Sequence, residues 1–182
     1  MRMRRYQVRD QVEIDASVEL SYATATDPQI VPLYVPEISR IVLVKKLSER
    51  LALVKSYLRV GKLTIPCLYR YHYRPPTHYS GVQERGWLIR GYFSFLFRRR
   101  GGRTIVSHVE GILSPIPGLA RAVGFIYFRV LAGRGAGVKE ELATLRNLVE
   151  SRQSPSAIHP TPSASARRST SERVESFPTP RD

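Results

Sequence analysis

The chain of 182 residues contains one cysteine and one tryptophan. The single cysteine, Cys67, rules out an intramolecular disulfide and a cysteine-based zinc site. The motifs HExxH and CxxC are missing, and no run of clustered carboxylates marks a metal site, so no metal and no cofactor are expected. The longest apolar stretch, Ile112 to Ala132, is broken by Pro115, Pro117, Arg121 and Arg129 and makes a poor membrane span. The basic start Met1-Arg2-Met3-Arg4-Arg5-Tyr6 is not followed by the apolar core of a secretory leader. A cytoplasmic protein, peripheral at a membrane if it meets one, is the expectation.

Acidic residues are also scarce. Against 29 Lys and Arg stand 15 Asp and Glu, a net charge of +14. Such a field attracts nucleic acid or an anionic membrane, or simply keeps the protein in solution. The basic residues are dispersed, with clusters at 2–9 and at Arg98-Arg99-Arg100-Gly101-Gly102-Arg103, where the glycines suggest a hairpin tip. No RRM or KH signature accompanies the charge, so nucleic acid is not the expected partner.

What is present divides the chain. Residues 1–9 form a basic N-terminal segment and 10–151 one domain. Residues 152–182, rich in Ser, Pro and Arg, cannot bury enough apolar surface to order themselves and read as a disordered tail. Within the domain, Gln11 to Ile14 alternates like a short strand, and Ser17 is placed to cap a helix with Glu19 in its first turn. Asp27-Pro28 ends that helix and looks like the N-cap and N1 of a second, ending by Pro36. Strand signals follow at Ile41–Lys46, Leu51–Val60, Leu63–Arg74, Tyr79–Arg85, Leu88–Arg98 and Thr104–Leu113. Pro66 marks the first half of the third of these as an edge or bulge. A helical stripe over Leu119 to Val130, a glycine-rich hinge at 133–137 and a second stripe of Val138, Leu142, Leu145 and Val149 close the domain. Lys139, Glu140, Glu141 and Arg146 are expected on other faces of that last helix.

This order resembles the START-like, or SRPBCC, superfamily of polyketide cyclases, quinone-binding START proteins and pollen-allergen-like proteins. Val12-Glu13-Ile14-Asp15-Ala16-Ser17 is similar to its first strand running into a helix. Asp27-Pro28-Gln29-Ile30-Val31-Pro32-Leu33-Tyr34-Val35-Pro36 resembles its second helix. Gly91-Tyr92-Phe93-Ser94-Phe95 and Gly101-Gly102-Arg103-Thr104-Ile105-Val106 resemble its late hairpin, and 142–150 the end of its last helix. The resemblance implies an α+β helix-grip fold: a curved antiparallel sheet of about seven strands around a long C-terminal helix, with two short helices after strand one. It further implies an internal cavity for an apolar small molecule such as a lipid, quinone or polyketide. One fold hosts many functions, so the site must carry the rest.

Aromatic residues are concentrated in the strand region, and strand alternation directs part of them to one face. With the resemblance, they suggest a ligand site including Tyr34, Tyr57, Tyr71, Trp87, Phe93, Phe95, Val106, His108 and Phe125. His108 and Glu110 lie two apart on one strand and share a face. On a concave face they are candidates for acid–base chemistry of the cyclase or dehydratase kind, together with a buried Tyr; on a convex face they are solvated. His72, between Arg70 and Arg74, reads as basic exterior, and His78 and His159 as loop and tail. Ser107 cannot pair with its strand neighbour His108. The segment Ile116 to Arg134, where Phe125, Ile126, Tyr127, Phe128 and Val130 occur among Arg121, Arg129 and Arg134, reads either as a helix packed in the grip or as a patch resting on an anionic bilayer.

Overall fold

The architecture described here is that of a computed structural model, in which residues 3–86, 88–128 and 137–153 are described. The elements run β1 (Arg4–Ile14), α1 (Val18–Thr26), α2 (Val31–Tyr34), β2 (Ile38–Ser48), β3 (Leu51–Val60), β4 (Leu63–Arg74), β5 (His78–Gln83), β6 (Arg90–Arg100), β7 (Arg103–Ser114), α3 (Leu119–Ile126) and α4 (Val138–Gln153). The strands form one antiparallel sheet of seven in the order β1-β7-β6-β5-β4-β3-β2. Strands β2 to β7 pair in sequence, so turns join neighbours throughout. Only β1 crosses the sheet, and α1 and α2 make that crossing. The sheet curls around α4, giving the helix-grip architecture.

Local chemistry explains the boundaries. Ser17 is extended and its hydroxyl accepts from the Leu20 amide at 3.1 Å, capping α1. The Gly101 turn between β6 and β7 has φ of 60°, a left-handed conformation that glycine adopts without strain. Pro66 pairs only with Tyr57 of β3, because β5 meets β4 from Tyr69 onward. The missing proline donor therefore faces an open edge.

The core lies between the sheet's concave face and α4. Leu142, Leu145 and Val149 of α4 are fully buried against Ile14, Val106 and Phe97. Full burial of such a side chain contributes about 1.5–3 kcal/mol. The Tyr34 hydroxyl donates to the Ala25 carbonyl at 2.7 Å, fixing α2 to the end of α1.

Several boundaries differ from the sequence reading. β1 begins at Arg4, not Gln11, because 4–9 pair with 109–114 of β7 and turn a basic segment into an edge strand. Asp27 does not start a helix. Its carboxylate accepts from the Gln29 amide in a turn, and α2 begins at Val31. Three of the hairpin-tip arginines, Arg99, Arg100 and Arg103, lie near acids. Arg103 lies 3.1 Å from Glu13 and 3.7 Å from Asp15, and Arg99 3.4 Å from Glu19. Exposed pairs of this kind add little stability. His78 opens β5 instead of lying in a loop, with Nε2 3.1 Å from Ser94 Oγ. Trp87, most of the glycine hinge, His159 and the tail from 154 lie outside the described residues.

Candidate functional site

Alternation along four strands brings one set of side chains to the concave face. On β4 these are Tyr69 and Tyr71, on β5 Tyr79, on β6 Phe93 and Phe95, and on β7 His108 and Glu110. With Tyr34 and Val31 of α2, Glu37, Ser56, Leu58, Tyr127, and Glu141 of α4, they line a small cavity of about 50 Å³ that opens to the surface. Leu58, Tyr69, Phe93, Glu110 and Tyr127 are also walls of an adjoining space bounded by Ile89, Gly91, Ile112 and Val123.

The rings interlock edge to face. Tyr71 lies 5.2 Å from Phe93 and 5.5 Å from Tyr79, while Tyr79 stacks on Phe95 at 5.6 Å. Pairs like these stabilise beyond the area they bury. Ser56 Oγ and the Tyr71 hydroxyl are 3.2 Å apart. Burial pushes the Tyr69, Tyr71 and Tyr79 phenols above their ordinary value, which leaves them as donors.

The polar end of the cavity is built around His108. Its ring stacks on Phe95 with centroids 3.8 Å apart. Nδ1 is 3.3 Å from the Ser94 carbonyl, and Nε2 is 3.3 Å from Glu141 Oε2. A carbonyl can only accept, so Nδ1 carries the proton and a neutral ring presents a bare Nε2. Burial pushes the imidazole down to about 4, against the opposing pull of Glu110 and the Ser94 bond. Glu141 is pushed up to about 8 by burial and by Glu37. Glu110 is pushed up to about 8 by burial and by Glu141, against the pull of His108. Burial thus disfavours the charged form of both partners in the His108–Glu141 contact, raising the carboxyl and lowering the imidazole. Burial also raises Glu37, whose Oε2 is buried with no hydrogen-bond partner among the described residues.

The structure brings Tyr34, Tyr71, Phe93, Phe95 and His108 together on the cavity wall, and it settles the face of His108 and Glu110 as concave. Three other expected wall residues lie elsewhere. Tyr57 points away from the cavity, between the inward Ser56 and Leu58, and its ring lies beneath the Arg40 guanidinium at 4.7 Å. Val106 is fully buried in the packed core beside Phe97. Phe125 is 55% exposed on α3, beside Tyr6 and Arg121. The expected absence of clustered carboxylates is also corrected, since folding gathers Glu37, Glu110 and Glu141 on one cavity wall. Glu141 was expected on a face of the last helix other than its apolar stripe, and its side chain is 4% exposed. Its spacing held the signal: it follows Val138 by three and precedes Leu145 by four, at the margin of the apolar stripe.

No family model and no curated protein matches the chain. Solved structures do. The fold is similar to that of the Zhui aromatase/cyclase from Streptomyces sp. R1128, with TM-score 0.65 and 12% identity over 82% of this chain and 96% of that one. A START superfamily protein from Mycobacterium smegmatis matches with TM-score 0.60 and 18% identity over 80% and 98% of the two chains. Ara h 8.0201 matches with TM-score 0.57 and 10% identity over 81% and 99%. The chain has the START-like, SRPBCC-type helix-grip fold.

Proposed function

We propose that this chain binds a flat, apolar small molecule carrying carbonyl or hydroxyl oxygens, with its apolar skeleton against the rings and its oxygens toward His108, Glu110 and Glu141. The observation that carries this reading is a cavity whose walls are interlocked aromatic rings and whose one end gathers titratable groups, His108 and Glu141 among them buried. Binding sites of this kind use apolar walls for affinity and a few polar groups for orientation. At neutral pH the phenols and the raised carboxyls offer donors, which suits an acceptor such as a quinone or polyketide carbonyl. Aromatase/cyclase and START proteins of the same fold are consistent with a ligand of this class.

The test has two arms. Protein purified from its own host under native conditions is extracted and examined by mass spectrometry, where a retained apolar oxygenated molecule is expected. In parallel, 1,8-dihydroxyanthraquinone is titrated into the purified chain and its visible band followed. Leu58→Trp, which fills the boundary between the two spaces, is expected to remove the spectral change. Failure of the dye to bind, with no retained molecule, overturns the proposal.

A second reading follows from the His108–Glu141 pair. A carboxylic acid and an unprotonated imidazole nitrogen 3.3 Å apart supply an acid and a base within one cavity. In a dehydration, Nε2 would take the proton α to a carbonyl and a carboxyl would protonate the departing hydroxyl, giving a C=C bond and water. Turnover of a β-hydroxy ketone on an aromatic skeleton that survives His108→Ala unaltered would exclude His108 from this role.

The exposed side of α3 extends the proposal to the ligand's source. Ile116, Phe125 and Ile126 are 40%, 55% and 50% exposed near the exposed Arg121. Val123 and Tyr127 of the same segment form cavity walls. An anionic bilayer matches this apolar-basic surface and would set the cavity beside a membrane-dissolved ligand. Among the described residues no helix is long and apolar enough to cross a membrane.

A further inference from the structure

The polar end of the cavity holds the side chains of a metal site. His108, Glu110 and Glu141 each offer one donor atom, and these atoms all lie within 4.8 Å of one another. Zinc bound to nitrogen and carboxylate oxygen has bonds of about 2.0–2.2 Å, so two donors at a tetrahedral edge sit about 3.3–3.5 Å apart. His108 Nε2 and Glu141 Oε2 are 3.3 Å apart. That separation matches one such edge, and the Glu110 donor lies within 4.8 Å of both.

β7, which carries His108 and Glu110, is paired on both sides, to β1 and β6. Glu141 comes from the gripped helix α4. The Nδ1 proton of His108 is committed to the Ser94 carbonyl, the outer hydrogen bond that fixes a metal-binding histidine with its other nitrogen free.

A separate observation points to a missing partner. Glu37 Oε2 is buried on the same cavity wall without any hydrogen-bond partner among the described residues. Buried carboxylate oxygens are rarely left this way, because desolvation without compensation is costly. A cation, or a water bound to one, would supply the partner that the protein does not.

We infer that His108, Glu110 and Glu141 bind a divalent transition cation, with zinc the best match, and that Glu37 faces the cation or its bound water. One imidazole nitrogen and two or three carboxylates suit zinc better than calcium, which takes six to eight oxygens. The inference concerns the same end of the cavity as the proposed ligand site but does not depend on which apolar molecule fills the rest.

The experiment uses the untagged full chain, stripped with chelator and titrated with Co²⁺. A site with four or five donors gives d–d absorption bands that saturate at one equivalent and disappear on adding Zn²⁺. Glu110→Gln and Glu141→Gln, near in shape to the originals, are each expected to weaken Co²⁺ binding by about tenfold or more. Cys67→Ser, remote from the cluster in role, is expected to leave the bands unchanged. No saturable band, or a band that persists in the double Gln variant, overturns the inference, as does one that vanishes with Cys67→Ser. Folding of each variant is checked by circular dichroism. A Co²⁺ band in a chain that fails to bind 1,8-dihydroxyanthraquinone would sink the ligand proposal and leave the metal site standing. Dye binding without any band would do the reverse.

Discussion

His108 Nε2 lies 3.3 Å from Glu141 Oε2, with each side chain almost fully buried, one on the sheet and one on the helix that the sheet grips. This contact ties the two layers of the fold together at the point where the cavity becomes polar. A charged pair here would have to leave water twice over, and the cost of that can exceed its attraction. Burial instead drives both groups toward their neutral forms, which leaves the imidazole with its one proton on Nδ1, against the Ser94 carbonyl.

The location of that proton can be measured. In ¹⁵N-resolved NMR, His108 is expected to remain the neutral Nδ1–H tautomer down to about pH 5, since its imidazole is pushed down to about 4. Glu141→Gln keeps an N–H donor toward Nε2 and is expected to preserve the tautomer and cost less than about 1 kcal/mol. Glu141→Ala removes the partner of a buried nitrogen and opens a void, and is expected to cost about 1–3 kcal/mol in urea unfolding.

Stability should fall as pH rises from 6.5 to 8. Glu110 and Glu141 are pushed up to about 8 in the folded chain, mainly by burial, against an ordinary value of 4.5. Between these values the folded state holds protons that the unfolded chain has released. The number bound is larger when folded, so the unfolding free energy declines with pH and levels off above about 8. His108 has the opposite sign, because its folded value lies below its ordinary 6.5. It favours the folded state more as pH rises from about 4 to 6.5 and contributes no slope above that. The window from 6.5 to 8 therefore isolates the carboxyls. Urea midpoints across it are expected to fall for the wild type, less steeply for Glu110→Gln, and least for the double Gln variant. A wild-type slope equal to that of the double variant would refute the assignment.

Gly81 allows the aromatic wall to close. A methyl group there would lie 2.4 Å from Phe93 Cε1 and 2.9 Å from Tyr71 Cδ1, inside any tolerable contact. Gly81→Ala is therefore expected to push Phe93 toward the cavity, cost about 1–3 kcal/mol and weaken dye binding. Gly102→Ala is the control, since its methyl would meet nothing within 4 Å. Thermal midpoints and dye titrations of the two variants should separate clearly.

Most of the fold was legible in the chain because strands and turns announce themselves locally. Leu51–Val60 and Leu63–Arg74 begin and end where branched and aromatic runs meet their turn residues. Ser17 caps α1 as its side chain allows. The first strand was read too short, since Arg4 to Arg9 look like a solvated basic run and become a strand only by pairing with β7. For the site, period two placed His108 and Glu110 on one face but could not name the face. Glu37 and Glu141 were harder to see. Each is an ordinary charged residue in its own neighbourhood, and only the closing of α2 and α4 over the sheet sets them opposite His108. The same limit misplaced Tyr57, Val106 and Phe125. Aromatic or apolar character marks burial or contact, but not which of several apolar environments a side chain enters.

The surface of α3 gives the last test, because it can be altered without touching the cavity's polar end. Phe125 and Ile126 are 55% and 50% exposed, so replacing both by Ser removes little buried area and should change the unfolding free energy by less than about 1 kcal/mol. If the patch rests on a bilayer, the double variant is expected to lose flotation with vesicles of phosphatidylcholine and phosphatidylserine. Arg121→Glu should weaken it as well, and both effects should shrink as salt screens the charge. Dye binding in solution should be unaffected by all three changes. Flotation that persists in the double Ser variant, or that ignores the phosphatidylserine content, would remove α3 from the docking surface and leave the cavity to acquire its ligand from solution.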